Sequence, residues 1–201
     1  MKIALVLAVA TALVVPASAQ AHEGAPSPRA AGQTLRLHDP VGDTWSYSDV
    51  SGYVPDPQPA ADVLRAQVTH GRNAVGVRMV LDDLRHLGTQ WYRVEIQTPT
   101  GILWFIVEAG KRHYAGIVYQ EVQGEWVGVR GVGHSIDYAA DRMTLRVPRR
   151  LLGEPAWIRV RMRFELGVPD GTFWTDNPVN TRPHATFSAR VPAPAAAHVG
   201  R

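Results

Sequence analysis

The chain has 201 residues, with 21 Lys and Arg against 18 Asp and Glu, and no Cys. The absence of cysteine excludes disulfides, thiolate catalysis, cysteine-ligated zinc and lipid attachment at a cysteine. A net charge of +3 is too small to indicate binding to DNA or RNA, so we expect no nucleic-acid partner.

The first 21 residues are predicted to be a secretory signal peptide. Lys2 precedes an apolar run over residues 3–16, and the small residues Ala17, Ser18 and Ala19 follow it. This order is typical of a cleaved signal, and the run is shorter than the roughly 20 residues that a membrane-spanning helix needs. We therefore expect a secreted or periplasmic protein with no membrane span in the mature chain.

The remainder is predicted to form one domain between two irregular ends. Residues 22–33 are rich in Pro, Ala, Gly and Ser and are predicted to be a flexible leader, and residues 192–201 are predicted to be a disordered tail. Residues 34–191 are long enough to bury a core without disulfides.

Within that domain, apolar and polar residues alternate with a period of two, which is typical of strands with one buried face. The alternation runs through residues 64–69, 75–81, 92–97, 143–147 and 158–165. The segment 102–107 is apolar on both faces, which predicts a central strand covered on both sides. Turn signals separate these runs, and only residues 148–152 suggest a short helix. The pattern predicts an all-β fold, an antiparallel two-sheet β-sandwich of jelly-roll type.

The order of features resembles the family-nine carbohydrate-binding modules and the related DOMON-like β-sandwiches. The resemblance rests on an Asp-bearing turn at 39–43, a strand that opens at Asp62, and a second strand at 74–81 that ends in Asp82-Asp83. It continues through a strand at 142–147, a small turn at 148–152, a strand at 158–164 and a polar loop at 170–176. The resemblance implies a secreted sandwich domain that binds a sugar polymer.

The turn His38-Asp39-Pro40-Val41-Gly42-Asp43 is a candidate metal site. Asp39 and Asp43 lie four residues apart around a glycine, and carboxylate oxygens are the ligands that calcium prefers. Asp62 and backbone carbonyls are candidates for the rest of the ligand set, so calcium is the cofactor that the pattern indicates. The alternative is that both aspartates only bond to backbone groups of the turn, as Asp commonly does.

Exposed tryptophans are candidates for stacking on sugar rings. Trp91 and Trp157 fall on the polar side of their predicted strands, so both are expected to point away from the core. Trp126 and Trp174 lie near loops and are the next candidates. The alternative for each is partial burial at a strand end, which is common for tryptophan.

Arg159, Arg161 and Arg163 lie on one face of a single strand. Guanidinium groups bind carboxylates and phosphates, so Arg159 and Arg161 are candidate ligands for an anionic polymer. The alternative is a solvated face that is neutralised by Glu95 and Glu165.

No motif of a catalytic nucleophile, a zinc protease or a nucleotide-binding loop occurs in the chain. The function predicted from the sequence is therefore non-catalytic binding of an extracellular polysaccharide or cell-wall polymer. An envelope protein that binds a protein partner is the alternative, followed by a sandwich hydrolase with two facing carboxylates in a groove.

Overall fold

A computed structural model of the protein describes residues 32–195. The predicted signal peptide, residues 22–31 of the predicted leader and residues 196–201 of the predicted tail lie outside the described residues. Within the described part, no helix has the length and apolar character to cross a membrane.

Two antiparallel sheets make up the fold, which confirms the predicted all-β sandwich. The smaller sheet has five strands in the spatial order β1-β4-β5-β11-β10. Their bounds are β1 Gln33–His38, β4 Val63–His70, β5 Ala74–Leu81, β11 Arg142–Pro148 and β10 Gly133–Asp137.

The larger sheet has the order β3-β2-β13-β12-β6-β7-β8-β9, and the short β14 also pairs with β12. Its early strands are β2 Trp45–Ser48, β3 Gly52–Pro55, β6 Thr89–Thr98 and β7 Gly101–Ala109. Its later strands are β8 Ile117–Val122, β9 Glu125–Gly128, β12 Trp157–Gly167, β13 Phe173–Asp176 and β14 Val191–Pro192. Short 3-10 helices at Pro59–Ala61 and Arg149–Leu152 complete the described elements, and the second one matches the predicted helical turn.

The core lies between the two sheets and is formed by the alternate residues that the sequence pattern assigned to it. In β6, Tyr92, Val94 and Ile96 are fully buried, whereas the residues between them are half-buried on the outer face. Burial of each such side chain contributes about 1.5–3 kcal/mol, so this alternation fixes which face of each strand looks outward.

Strand β7 differs from its prediction. Phe105 and Val107 are buried, and Ile106 is nearly so on the opposite face, but Ile102 and Trp104 are exposed. The outer face of β7 is therefore covered only near Ile106, and the apolar residues before it contribute to an exposed surface. Burial on both faces was predicted because sequence alone does not show how far a covering segment extends.

Candidate functional site

Four aspartates from three parts of the chain meet at one end of the sandwich. Asp39 and Asp43 lie in the loop between β1 and β2, Asp62 precedes β4, and Asp176 ends β13. One carboxylate oxygen from each of Asp39, Asp43 and Asp176 lies within 4.8 Å of the others. Asp62 joins them through the turn, because the Gly42 N–H donates to Asp62 Oδ2 at 2.7 Å.

Backbone groups position two of these carboxylates. The N–H of Val63 donates to Asp176 Oδ2, and the N–H of Asn177 donates to Asp176 Oδ1, both at 2.7 Å. The φ angle of +80° at Gly42 is a conformation that glycine adopts without strain, and it aims the Gly42 N–H at Asp62. The turn, the start of β4 and the end of β13 are thereby tied together.

Several oxygens of this cluster are buried without a hydrogen-bond partner among the described residues: Asp39 Oδ2, Asp43 Oδ1, Asp43 Oδ2 and Asp62 Oδ1. Asp62 is only 1% exposed and Asp176 only 2%. Within residues 32–195, no Arg or Lys forms an ion pair with any of the four carboxylates. A buried charge without a partner is unfavourable by several kcal/mol. This is about the cost of removing one partner from a buried ion pair.

The electrostatics of the cluster reflect this crowding. Burial and the neighbouring carboxylates of Asp176, Asp43 and Asp62 raise the pKa of Asp39 to about 9. Burial also raises the pKa of Asp176 to about 7 and that of Asp43 above its ordinary value. The pKa of Asp62 is raised mainly by burial, against the lowering effect of the Gly42 N–H.

A hard divalent cation would satisfy these groups, since calcium takes six to eight oxygen ligands from carboxylates, carbonyls and water. The chemistry of the donors, all oxygens with four of them unpartnered, fits that ion. The sequence indicated Asp39, Asp43 and Asp62 as candidates but did not indicate that Asp176 belongs to the same cluster. The sequence places Asp176 only in a polar loop, and no local spacing links it to the other three.

Trp91 lies on the outer face of the larger sheet, as predicted from its strand position. Its Nε1–H donates to Glu108 of β7 at 3.1 Å, and its ring lies against Gly167 of β12 and 6.0 Å, between centroids, from Phe173. It lines an open cleft of about 400 Å³ together with residues 167–169 and 171–173, Lys111 and Tyr114.

Trp157 and Trp174 are less available. The Arg190 guanidinium lies 4.3 Å from the centre of the Trp157 ring and covers it. Trp174 is half-buried against the core, and its Nε1–H donates to Asp56 Oδ2 at 2.8 Å. The structure therefore does not place either residue with Trp91 in one cleft.

Trp126 lies on β9, at the far edge of the larger sheet, and is 41% exposed. Trp104 of β7, which the sequence did not single out, is 38% exposed between β6 and β8. The segment 102–107 is apolar on both faces, and an outward position within it is the signal that could have indicated Trp104.

Arg159 and Arg161 are held by protein groups. Arg161 pairs with Glu95, and its guanidinium lies 4.8 Å from the centre of the Phe187 ring. Arg159 Nε donates to the carbonyl of Ser188 at 2.8 Å. In the same row, the buried Glu165 accepts from Arg93 at 2.5 Å and from Arg163 at 2.6 Å. On this outer face of β12, Glu95 and Glu165 pair with arginines, as in the alternative that the sequence left open.

The fold and these sites define an all-β sandwich with a buried carboxylate cluster and an aromatic cleft on the outer face of one sheet. Comparisons with protein-family models, with curated proteins and with solved structures find no match to the chain.

Proposed function

We propose that this protein is a non-catalytic binding domain for an extracellular polysaccharide, which it holds at the Trp91 cleft. The observation that carries the proposal is the fixed indole of Trp91. Its Nε1–H is bonded to Glu108 and its ring rests on Gly167, so one aromatic face is held in place beside an open cleft. A preorganised aromatic surface with a few polar groups around it is typical of small-ligand sites.

The polar groups around the ring suit sugar hydroxyls. Lys111 and Thr172 line the cleft, and the exposed Glu108 adjoins the indole nitrogen. Lys111 supplies donors and Glu108 supplies acceptors, while their charges offset each other. A neutral polysaccharide, with a pyranose face on Trp91 and hydroxyls on these side chains, is therefore the ligand class that we propose.

A calcium ion at the Asp39–Asp43–Asp62–Asp176 cluster is the second part of the proposal. The support is the unpartnered oxygens of the buried carboxylates, which leave their charge uncompensated within the described residues. Calcium would fix the turn at 39–43 to β4 and β13, and its role would be structural. The Trp91 cleft is lined by none of these aspartates, so their raised pKa values supply no acid or base for hydrolysis of a ligand held there.

The test is a pull-down of the purified protein on insoluble neutral polysaccharides, with and without calcium and at high salt. We expect retention that survives high salt and is lost in Trp91→Ala. Trp157→Ala is the matched control, because Arg190 already covers its ring. Failure of the wild type to bind any polysaccharide in the panel, or equal retention of Trp91→Ala, would overturn the proposal.

A protein partner is the second candidate function, and the last strand of the larger sheet favours it. All four residues of β9 are exposed, and this edge hairpin exposes apolar side chains on both faces, Val122 and Val127 on one and Trp126 on the other. Edge strands with apolar side chains are prone to pair with another chain. Cross-linking to a protein that is abolished by Trp126→Ala, with no polysaccharide retained, would favour this function.

A further inference from the structure

We infer that the outer face of the five-stranded sheet is a second binding surface, for an acidic polysaccharide that carries uronate carboxylates. This surface, which we call the arginine face, is separate from the Trp91 cleft and from the Arg159–Arg161 row. It comprises Arg36 and His38 of β1, Arg65 and Gln67 of β4, Arg78 of β5, and Arg142, Thr144 and Arg146 of β11.

Strand register puts these side chains on one face. Arg36 lies opposite Gln67, Gln67 opposite Arg78, and Arg78 opposite Thr144. Directly opposed residues in antiparallel strands project to the same side of a sheet, so this row crosses four strands. Because neighbouring strands are about 4.8 Å apart, the Cα atoms of Arg36 and Arg78 are separated by roughly 9–10 Å.

Parallel rows extend the same face. His38, Arg65, Val80, Arg142 and Asp137 form the next row, and Thr69, Gly76 and Arg146 belong to the row beyond the first. The three rows together contain five arginines and one acidic residue, Asp137.

Only Arg142 of these five forms an ion pair within residues 32–195, with Asp137 at 2.8 Å. Arg36, Arg65, Arg78 and Arg146 are exposed and carry no carboxylate partner in the described part of the chain. This arrangement is the reverse of the larger sheet, where Glu95 and Glu165 neutralise the arginine row. The uncompensated positive charge is complementary to a polyanion.

The shape of the face fits a chain-like ligand. Two adjoining depressions of about 480 Å³ and about 470 Å³ lie on it, and both are lined by Gln67 and Arg78. Gly76 adds no side chain to the second depression, and no atom of the described residues, its chain neighbours aside, lies within 4 Å of where its Cβ would be. The depressions adjoin along the strand direction, one toward the row of Arg65 and Arg142 and the other toward the row of Arg146, so together they offer an elongated surface.

Neutral polar groups between the arginines favour a sugar polymer over a phosphate polymer or a nucleic acid. Gln67, Thr69, Thr144 and Ser135 supply hydroxyl and amide groups beside the guanidinium groups, which suits a chain that carries both hydroxyls and carboxylates. The three rows contain no Trp, Tyr or Phe for base stacking, the usual contact with single-stranded nucleic acid.

The test measures binding of the purified protein to polygalacturonate, its methyl-esterified neutral form and polyphosphate, across a salt series. We expect binding to polygalacturonate that weakens with salt, little binding to the esterified polymer, and roughly tenfold weaker binding in the double variant Arg36→Gln/Arg78→Gln. The control, Arg130→Gln/Arg182→Gln, removes the same charge from exposed positions outside this face and should bind as the wild type does.

Equal loss in the control, or equal binding to the esterified polymer, would overturn the inference. Polyphosphate binding as tight as polygalacturonate binding, with the same dependence on Arg36 and Arg78, would overturn the assignment to a uronate polymer. Trp91→Ala should leave polygalacturonate binding unchanged. The proposal for the Trp91 cleft and the inference for the arginine face can therefore fail independently of each other.

Discussion

The carboxylates of Asp39 and Asp176 lie within 4.8 Å of each other, although one follows β1 and the other ends β13. Each raises the free energy of the other's charged form, and Asp39 has its pKa raised to about 9 by burial and by three neighbouring aspartates, Asp176 first among them. A protein that keeps such a pair needs either protons or a cation to stabilise it.

Calcium is expected to raise the melting temperature, and Asp43→Asn is expected to weaken that response. Neither oxygen of Asp43 has a hydrogen-bond partner among residues 32–195, so in EDTA the amide should remove repulsion and raise the melting temperature. In excess calcium the variant loses a ligand and should fall below the wild type by several degrees, as a change of about 1–2 kcal/mol would produce. Thermal denaturation of both proteins in EDTA and in calcium measures the two effects. Asp49→Asn, at an exposed position, should not change the response, and a wild type whose melting temperature ignores calcium would contradict the metal site.

The raised pKa values predict a pH dependence with a definite sign. Asp176 and Asp39 have pKa values of about 7 and about 9 in the folded protein, against an ordinary 3.8. The folded state therefore holds protons that the unfolded chain has released, and this stabilisation, complete below about 3.8, is lost as pH rises through 7 and 9. In EDTA the melting temperature should fall from about pH 5 to about pH 9, and excess calcium should reduce the fall because it binds the deprotonated carboxylates. A melting temperature in EDTA that rises over this range would contradict the account.

Gly167→Ala is expected to weaken polysaccharide binding at the Trp91 cleft. A Cβ at this position would come within 3.1 Å of Trp91 Cζ3, so the indole ring must move by a few tenths of an ångström from the position that borders the cleft. Retention on the polymer should fall while the far-UV circular dichroism stays unchanged. Gly128→Ala on β9, where a Cβ meets nothing within 4 Å, is the control and should bind normally.

Glu165→Gln is expected to destabilise the fold by about 1–3 kcal/mol, since it leaves Arg93 and Arg163 beside a buried neutral amide. Both arginines are partly exposed, which keeps the loss below that of a fully buried pair. Glu154→Gln, whose carboxylate is well exposed next to Arg149, should cost less than about 0.5 kcal/mol. Urea denaturation of the two variants measures the difference, and equal losses would show that the Glu165 network contributes no more than a surface pair.

The period-two alternation predicted the sandwich because it directly reports which face of each strand is buried. Tyr92, Val94 and Ile96 illustrate this, since each is buried as the pattern requires. The same pattern correctly predicted that Trp91 points outward.

The contacts between segments that are distant in the chain could not be predicted from the sequence. Asp176 reaches the turn at 39–43 only because β13 pairs with both β2 and β12. The same is true of the arginines. Arg159 and Arg161 are close in sequence, but Arg161 pairs with Glu95 and Arg159 donates to the Ser188 carbonyl. Four arginines, which form no ion pair with a residue of the described part 32–195, are scattered along the chain and come together only through strand register: Arg36, Arg65, Arg78 and Arg146.

The most direct test of the proposed function is affinity electrophoresis in gels that contain soluble neutral polysaccharides. Wild type, Trp91→Ala and Trp126→Ala would be compared at the same calcium concentration. We predict retardation of the wild type and of Trp126→Ala by at least one polymer, and free migration of Trp91→Ala. Retardation of all three proteins to the same extent, or of none, would contradict polysaccharide binding at the Trp91 cleft.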